Sequence, residues 1–97
     1  MLFAVLCTDK PNHLNVRMET RPAHVEWLNG LNAAGTLKIG GPFLGDDGKP
    51  CGSMLLLAAE DLESAKKIAA ADPYAGAGLF EKVEIKPFNW VFNNPEA

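Results

Sequence analysis

Ala69-Ala70-Ala71-Asp72-Pro73-Tyr74-Ala75-Gly76-Ala77-Gly78 decides the fold. The stretch closes a helix whose apolar stripe ends in an acid, then turns at once through proline and glycine. The residues before it read as a small α+β domain, and those after it as the last strand. Working backward, Leu62, Ala65, Ala69 and Asp72 recur at helical spacing on one face, and Asp61 stands where an N-cap belongs. Ser53 to Ala59 is a continuous apolar strand. Gly40 to Gly52 reads as a loop rich in Gly, Pro and Asp, with Asp46-Asp47-Gly48 as a hairpin turn. Thr36-Leu37-Lys38-Ile39 alternates, as a half-exposed strand does.

Further back, Pro22 has no N–H to give a helical ladder. Its position predicts a short helix over about 12–19 and a longer one over about 21–35. In the longer piece His24, Leu28 and Leu31 share a face, and Gly35 stops it. Leu2-Phe3-Ala4-Val5-Leu6-Cys7 is an apolar run too short for a helix and suits a strand covered on both faces. Forward of the opening stretch, Leu79 to Lys86 sets Val83 and Ile85 against Lys82, Glu84 and Lys86. Pro87 is expected to end the pairing, leaving an aromatic tail of Phe88, Trp90 and Phe92.

The order β-α-β-β-α-β points to a ferredoxin-like sandwich of the α+β class. Strands one and three, central in that topology, are apolar throughout, whereas the edge strands two and four alternate. Two helices cover one face of such a sheet, yet the central strands require both faces dry. A second copy packed sheet against sheet would cover the other, so a homodimer is expected, with higher assembly left open.

Ninety-seven residues predict one domain with a single modest core. Twelve acidic residues against nine basic ones give a net charge of −3, which argues against a nucleic-acid surface. No apolar run approaches the roughly 20 residues that cross a bilayer, so no membrane partner is expected. Met1 to Cys7 lacks the basic start of a signal peptide and reads as a strand. Cys7 and Cys51 show no C-x-x-C spacing, which makes a reducing cytoplasm the expected location. Two histidines, His13 and His24, and two scattered cysteines do not make metal-ligand spacing. No Gly-rich phosphate loop runs from a strand into a helix, so neither a metal nor an organic cofactor is expected. Cys7, inside an apolar strand, reads as packing.

With strand one pointing up, the right-handed crossover and the hairpin bring several segments to one edge of the sheet. They are the start of the first helix, the end of the second, the Gly40–Gly52 loop, Thr8 and Asp9, Ser53 and the turn after Tyr74. His24, near the start of the first helix, and Asp72, at the end of the second, should be neighbours in one cleft. A carboxylate that accepts one ring N–H fixes the tautomer and leaves the other nitrogen free for a proton. Asp72 at a helix C-terminus is opposed by the dipole, which a nearby cation would offset. Each residue also has a plainer reading. His24 could be a core histidine bonded to a carbonyl. Asp72 before Pro73 could cap a short helical turn, with one oxygen free for the histidine. Arg21 either holds an anionic substrate or covers the helix entry. Ser53 donates to a substrate oxygen or opens its strand, and Tyr74 lines the cleft or packs as core. Gly41-Pro42 shapes a turn and permits close ligand approach.

Arg21-Pro22-Ala23-His24, Gly41-Pro42, Gly52-Ser53, Ala71-Asp72-Pro73-Tyr74 and the closing Val83-x-Ile85-Lys86-Pro87-Phe88 together resemble the YCII-related family. The likeness runs over nearly the whole chain, with the hairpin tip around Leu44 to Pro50 the most divergent part. It implies a dimeric α/β barrel with His24 and Asp72 at the catalytic positions. One relative in that family is a dehydrochlorinase of a chlorinated hydroxyquinol, and more distant barrel families include lactone isomerases and cofactor-free monooxygenases. The expectation is a cofactor-free enzyme that moves a proton on a small cyclic or hydroxylated substrate. The alternatives are a binding or sensing module using the same cleft, and a structural domain whose dimer is its purpose.

Overall fold

In a computed structural model describing residues 1–96, the chain forms β1 (Leu2–Asp9), α1 (Leu14–Ala33), β2 (Leu37–Leu44), β3 (Pro50–Ala58), α2 (Leu62–Ala70), α3 (Pro73–Gly76) and β4 (Phe80–Phe88). The four strands make one antiparallel sheet in the order β2-β3-β1-β4, the ferredoxin-like arrangement, with apolar β1 and β3 at its centre. The core lies between the sheet and the helices. Val5, Cys7, Leu55, Leu57 and Ala69 form its centre, with Trp27, Leu28, Leu31, Ile68 and Ile85 packed around them.

Three boundaries differ from expectation. Pro22 does not divide the first helix: α1 is continuous for 20 residues and carries the proline inside. Pro22 lies on the exposed face, where water can take the carbonyl that loses its partner. Buried side chains on both sides of it, Arg17 and His24, anchor the two halves to the same layer. Gly40–Pro42 and Cys51–Gly52 belong to strands rather than to a loop, so the connection shrinks to five residues, 45–49. Pro42 is tolerated because β2 is an edge strand. Pro87 does not end β4 either; it still pairs with Phe3, and Phe88 with Leu2, again on an edge.

The helix ends obey local rules. Asp61 caps α2 by accepting from the Ser64 N–H at 2.8 Å, and that bond holds its carboxyl below the usual range. Gly35, at φ +77°, ends α1: its N–H reaches the Asn32 carbonyl and the Thr36 N–H reaches Leu31. Gly78, at φ +73°, ends α3 in the same way, through bonds to Ala75 and Tyr74. Past β4, Trp90 is half-buried, Phe92 is exposed, and Glu96 returns to Lys38 at 2.8 Å. No helix among the described residues is long and apolar enough to cross a membrane.

Gly52 controls how closely the two central strands meet. A Cβ there would strike the Cys7 carbonyl oxygen, a backbone atom that cannot swing away. Gly52→Ala should therefore force β1 and β3 apart at Thr8 and destabilise the fold by about 1–3 kcal/mol, read as a lower urea midpoint. An unchanged midpoint would show that the strands are not held that tightly.

Candidate functional site: a histidine–aspartate pair on a cationic cavity

The inward stripes of the two central strands run apolar and then turn polar at the same edge. On β1 the stripe is Phe3, Val5, Cys7 and then Asp9; on β3 it is Leu57, Leu55 and then Ser53, which pairs with Cys7. The β1–β4 register shifts between Thr8 and Asp9, and Glu81 is the extra residue on β4. Such a bulge re-aims the side chain beside it. Opposite this polar edge, α1 presents Arg17, Arg21 and His24, spaced i, i+4, i+7 on one face.

His24 sits near the middle of α1, not near its start as the divided helix predicts, because α1 begins at Leu14. Its Nδ1–H donates to Asp72 Oδ1 at 2.7 Å. Both side chains are almost fully buried, at 9% and 4% exposure. Asp72 is the N-cap of α3 rather than the last residue of α2. Its Oδ1 also accepts the Tyr74 N–H at 2.9 Å, so one oxygen, not two, serves both the cap and the histidine. The expected clash with a helix C-terminal dipole does not arise, since a cap carboxylate faces free N–H groups.

Tyr74 ties the cluster together. The His24 ring stacks on its ring with centroids 3.9 Å apart and planes at 17°, and Phe80 meets it edge-on at 6.1 Å. The Arg17 guanidinium carbon lies 4.6 Å from the same centroid. Burial pushes the Tyr74 hydroxyl above its ordinary pKa, against the opposing pull of Arg17 and Arg21, so it stays protonated near neutrality.

Arg17 was not singled out from sequence, and Asp9 was placed at this edge but given no role. Arg17 is 4% exposed. Its Nε donates to Asp9 Oδ2 at 2.7 Å, and its Nη2 donates to Asp9 Oδ1 at 2.9 Å and to Ser53 Oγ at 2.8 Å. Burial alone would lower the guanidinium pKa; the Asp9 carboxylate, with a smaller contribution from the Tyr74 hydroxyl, more than offsets that, and the pKa is raised.

The cavity beside this cluster has a volume of about 380 Å³. Arg21, Gly41, Pro42, Ser53, Tyr74 and His24 all line it, together with Arg17 and apolar walls from Leu28 and Leu55. Asp72 stands behind His24, outside the lining. A Cβ on Gly41 would meet nothing within 4 Å, so protein packing does not demand glycine there. Among the described residues no side-chain nitrogen or oxygen is both sealed and unpartnered. His24 Nε2, which has no protein partner, therefore reaches open space. The arrangement can hold a small molecule against an imidazole whose tautomer is fixed from behind.

Cys7 is not part of this chemistry. Burial first, then the charges of Asp72 and Asp9, push its thiol from the ordinary 9.0 up to about 12. At pH 8, iodoacetamide should modify exposed Cys51 and leave Cys7 untouched until the protein unfolds, as mass spectrometry would read. Above pH 9 the unfolded chain loses the Cys7 proton while the native one keeps it. The unfolded state then binds fewer protons, so stability falls as pH rises from about 9 toward 12. Cys7→Ala should flatten that decline; an equally steep decline in the variant would contradict the assignment.

The family model for the YCII-related domain matches residues 1–89. Protein YciI of Escherichia coli O6:H1 is 38% identical, the alignment covering 95% of this chain and all of that protein. An uncharacterized protein of Haemophilus influenzae is 37% identical over the same shares. Among solved structures, the 5-chloro-2-hydroxyhydroquinone dehydrochlorinase TftG of Burkholderia phenoliruptrix AC1100, in complex with 2,5-dihydroxybenzoquinone, superposes with a TM-score of 0.83. It is 33% identical, with 92% of this chain and 94% of that one covered. The chain belongs to the YCII-related family.

Proposed function

We propose that the chain is an acid–base enzyme that moves a proton on a small cyclic, hydroxylated substrate without an organic cofactor. The observation that carries this reading is the 2.7 Å bond from His24 Nδ1 to buried Asp72, which leaves Nε2 toward the cavity. His24 Nε2 accepts a proton from an O–H or acidic C–H of the substrate. The released electron pair moves into the ring system, where it expels a leaving group such as halide or is reprotonated at another atom by the imidazolium. Nothing is oxidised or reduced. Asp72 holds the ring and stabilises the imidazolium; Arg21, Ser53 and Tyr74 bind substrate oxygens, and Gly41-Pro42 forms the wall. The dehydrochlorinase activity of TftG, a structural neighbour at 33% identity, supports elimination as the first reaction to assay.

The test is a panel of chlorinated and unchlorinated hydroxyhydroquinones and phenols, 5-chloro-2-hydroxyhydroquinone among them, monitored by absorbance and chloride release. Wild type should convert at least one and His24→Gln should not. If His24 ring signals shift while every ligand is recovered unchanged, the site is a binding or sensing module. No response at all would make the domain structural.

The sheet face away from the helices supports a second proposal, a homodimer. Leu6 and Met54 alternate onto that face half-buried, and Ile39 and Phe43 beside them are 44% and 47% exposed. A second copy packed there would dry it. Light scattering showing a monomer at micromolar concentration would remove this proposal. Two unpaired cysteines are consistent with a cytoplasmic location.

A further inference from the structure

We infer that the ligand is an anion, and that its negative oxygen is held at the Arg17–Arg21 end of the cavity, opposite an apolar slot that takes a flat ring. This deepens the proposed acid–base reading and rests on the same cavity. A guanidinium has five N–H donors in a planar fork. Three of Arg17's are used, two on Asp9 and one on Ser53. The remaining two, on Nη1, reach no carboxylate among the described residues, and the guanidinium's one further protein neighbour of this kind is the neutral Tyr74 hydroxyl. Arg17 is more than nine-tenths buried, yet none of its nitrogens is sealed without a partner, so Nη1 opens into the cavity that Arg17 lines. Two N–H groups on one nitrogen, fixed in plane by the fork's grip on Asp9, form a preorganised seat for an oxygen.

Charge placement agrees. The charged side chains lining the cavity are both cations, Arg17 and Arg21. The two carboxylates of the cluster, Asp9 and Asp72, hold Arg17 and His24 from outside the lining. Arg21 is exposed and forms no ion pair among the described residues. The volume of about 380 Å³ lies near the lower end of small-molecule sites, roughly 300–1,000 Å³, which favours a single ring.

The experiment uses benzoate and benzamide, nearly equal in shape and different in charge, with affinities measured by calorimetry on the full chain. Benzoate should bind about 10- to 100-fold more tightly than benzamide, the range of a charge-assisted hydrogen bond. Arg21→Gln should reduce that ratio. Arg17→Lys, which keeps the charge and loses the fork, should reduce it too; if that variant fails to fold, the wild-type ratio and Arg21→Gln decide. His24→Gln should leave the ratio intact, which separates this inference from the acid–base reading. Equal affinity for the two probes, or no binding of either at millimolar concentration, would overturn it. So would a ratio unchanged in both arginine variants, or one abolished by His24→Gln, which would make the imidazolium the anion site.

Discussion

Arg17→Met should destabilise the protein by about 3–5 kcal/mol, the usual cost of leaving one partner of a buried ion pair alone. The two side chains are 5% and 7% exposed and joined by two hydrogen bonds, so Asp9 would be left charged, enclosed and unpaired. Asp9 also borders a second groove, formed with Pro11, Asn12 and Lys49. Water entering from that side should keep the loss near the lower end of the range. Arg17→Met combined with Asp9→Leu should recover most of the stability, because apolar groups of similar volume replace a buried pair at little cost. Urea unfolding at fixed protein concentration reads both variants. A single variant within about 1 kcal/mol of wild type would mean that solvent already reaches the pair and that its net contribution is that of a surface bridge.

His24→Gln should lower turnover of any substrate the wild type converts by about 10²–10⁴-fold, the usual share of general acid–base catalysis. Stability should change little, since a glutamine amide can still donate toward Asp72. Asp72→Asn separates two roles of one oxygen: its carbonyl can keep the cap on the Tyr74 N–H, while the charge that stabilises the imidazolium is gone. Turnover should fall and the urea midpoint should hold. Asp72→Ala removes cap and charge together, and should cost about 1 kcal/mol more in stability. Wild-type turnover in His24→Gln would reduce the pair to a packing device.

The sheet was legible because burial is written into the residues. Leu2–Cys7 and Ser53–Ala59 are apolar on both faces, and only the two central strands of this topology require that. The meeting of His24 and Asp72 came from topology alone, since the crossover brings α1 and the segment after α2 to one edge of the sheet. Arg17 was lost through a local rule. Assuming that Pro22 ends a helix separates Arg17 from His24, although 17, 21, 24, 28 and 31 mark one unbroken face. Propensity at Pro22 yielded to tertiary contacts made before and after it. Topology placed Asp9 at this edge, but the turn residues after it mask its place in the inward stripe Phe3-Val5-Cys7-Asp9 and with it the partnership with Arg17. A polar residue ending an otherwise buried stripe, on two adjacent strands at once, is the signal that would have joined Asp9 and Ser53 into one buried polar site around Arg17. The strand ends were hidden for another reason: glycine and proline read as loop, yet an edge strand tolerates both.

The most direct measurement is the long-range ¹H–¹⁵N spectrum of the His24 ring, recorded across neutral pH with and without a cavity ligand. The account predicts that the neutral ring carries its proton on Nδ1, held by Asp72, and that the Nε2 signal shifts when the ligand binds. A neutral ring protonated at Nε2 instead, or an Nε2 signal indifferent to every ligand that enters the cavity, would contradict it.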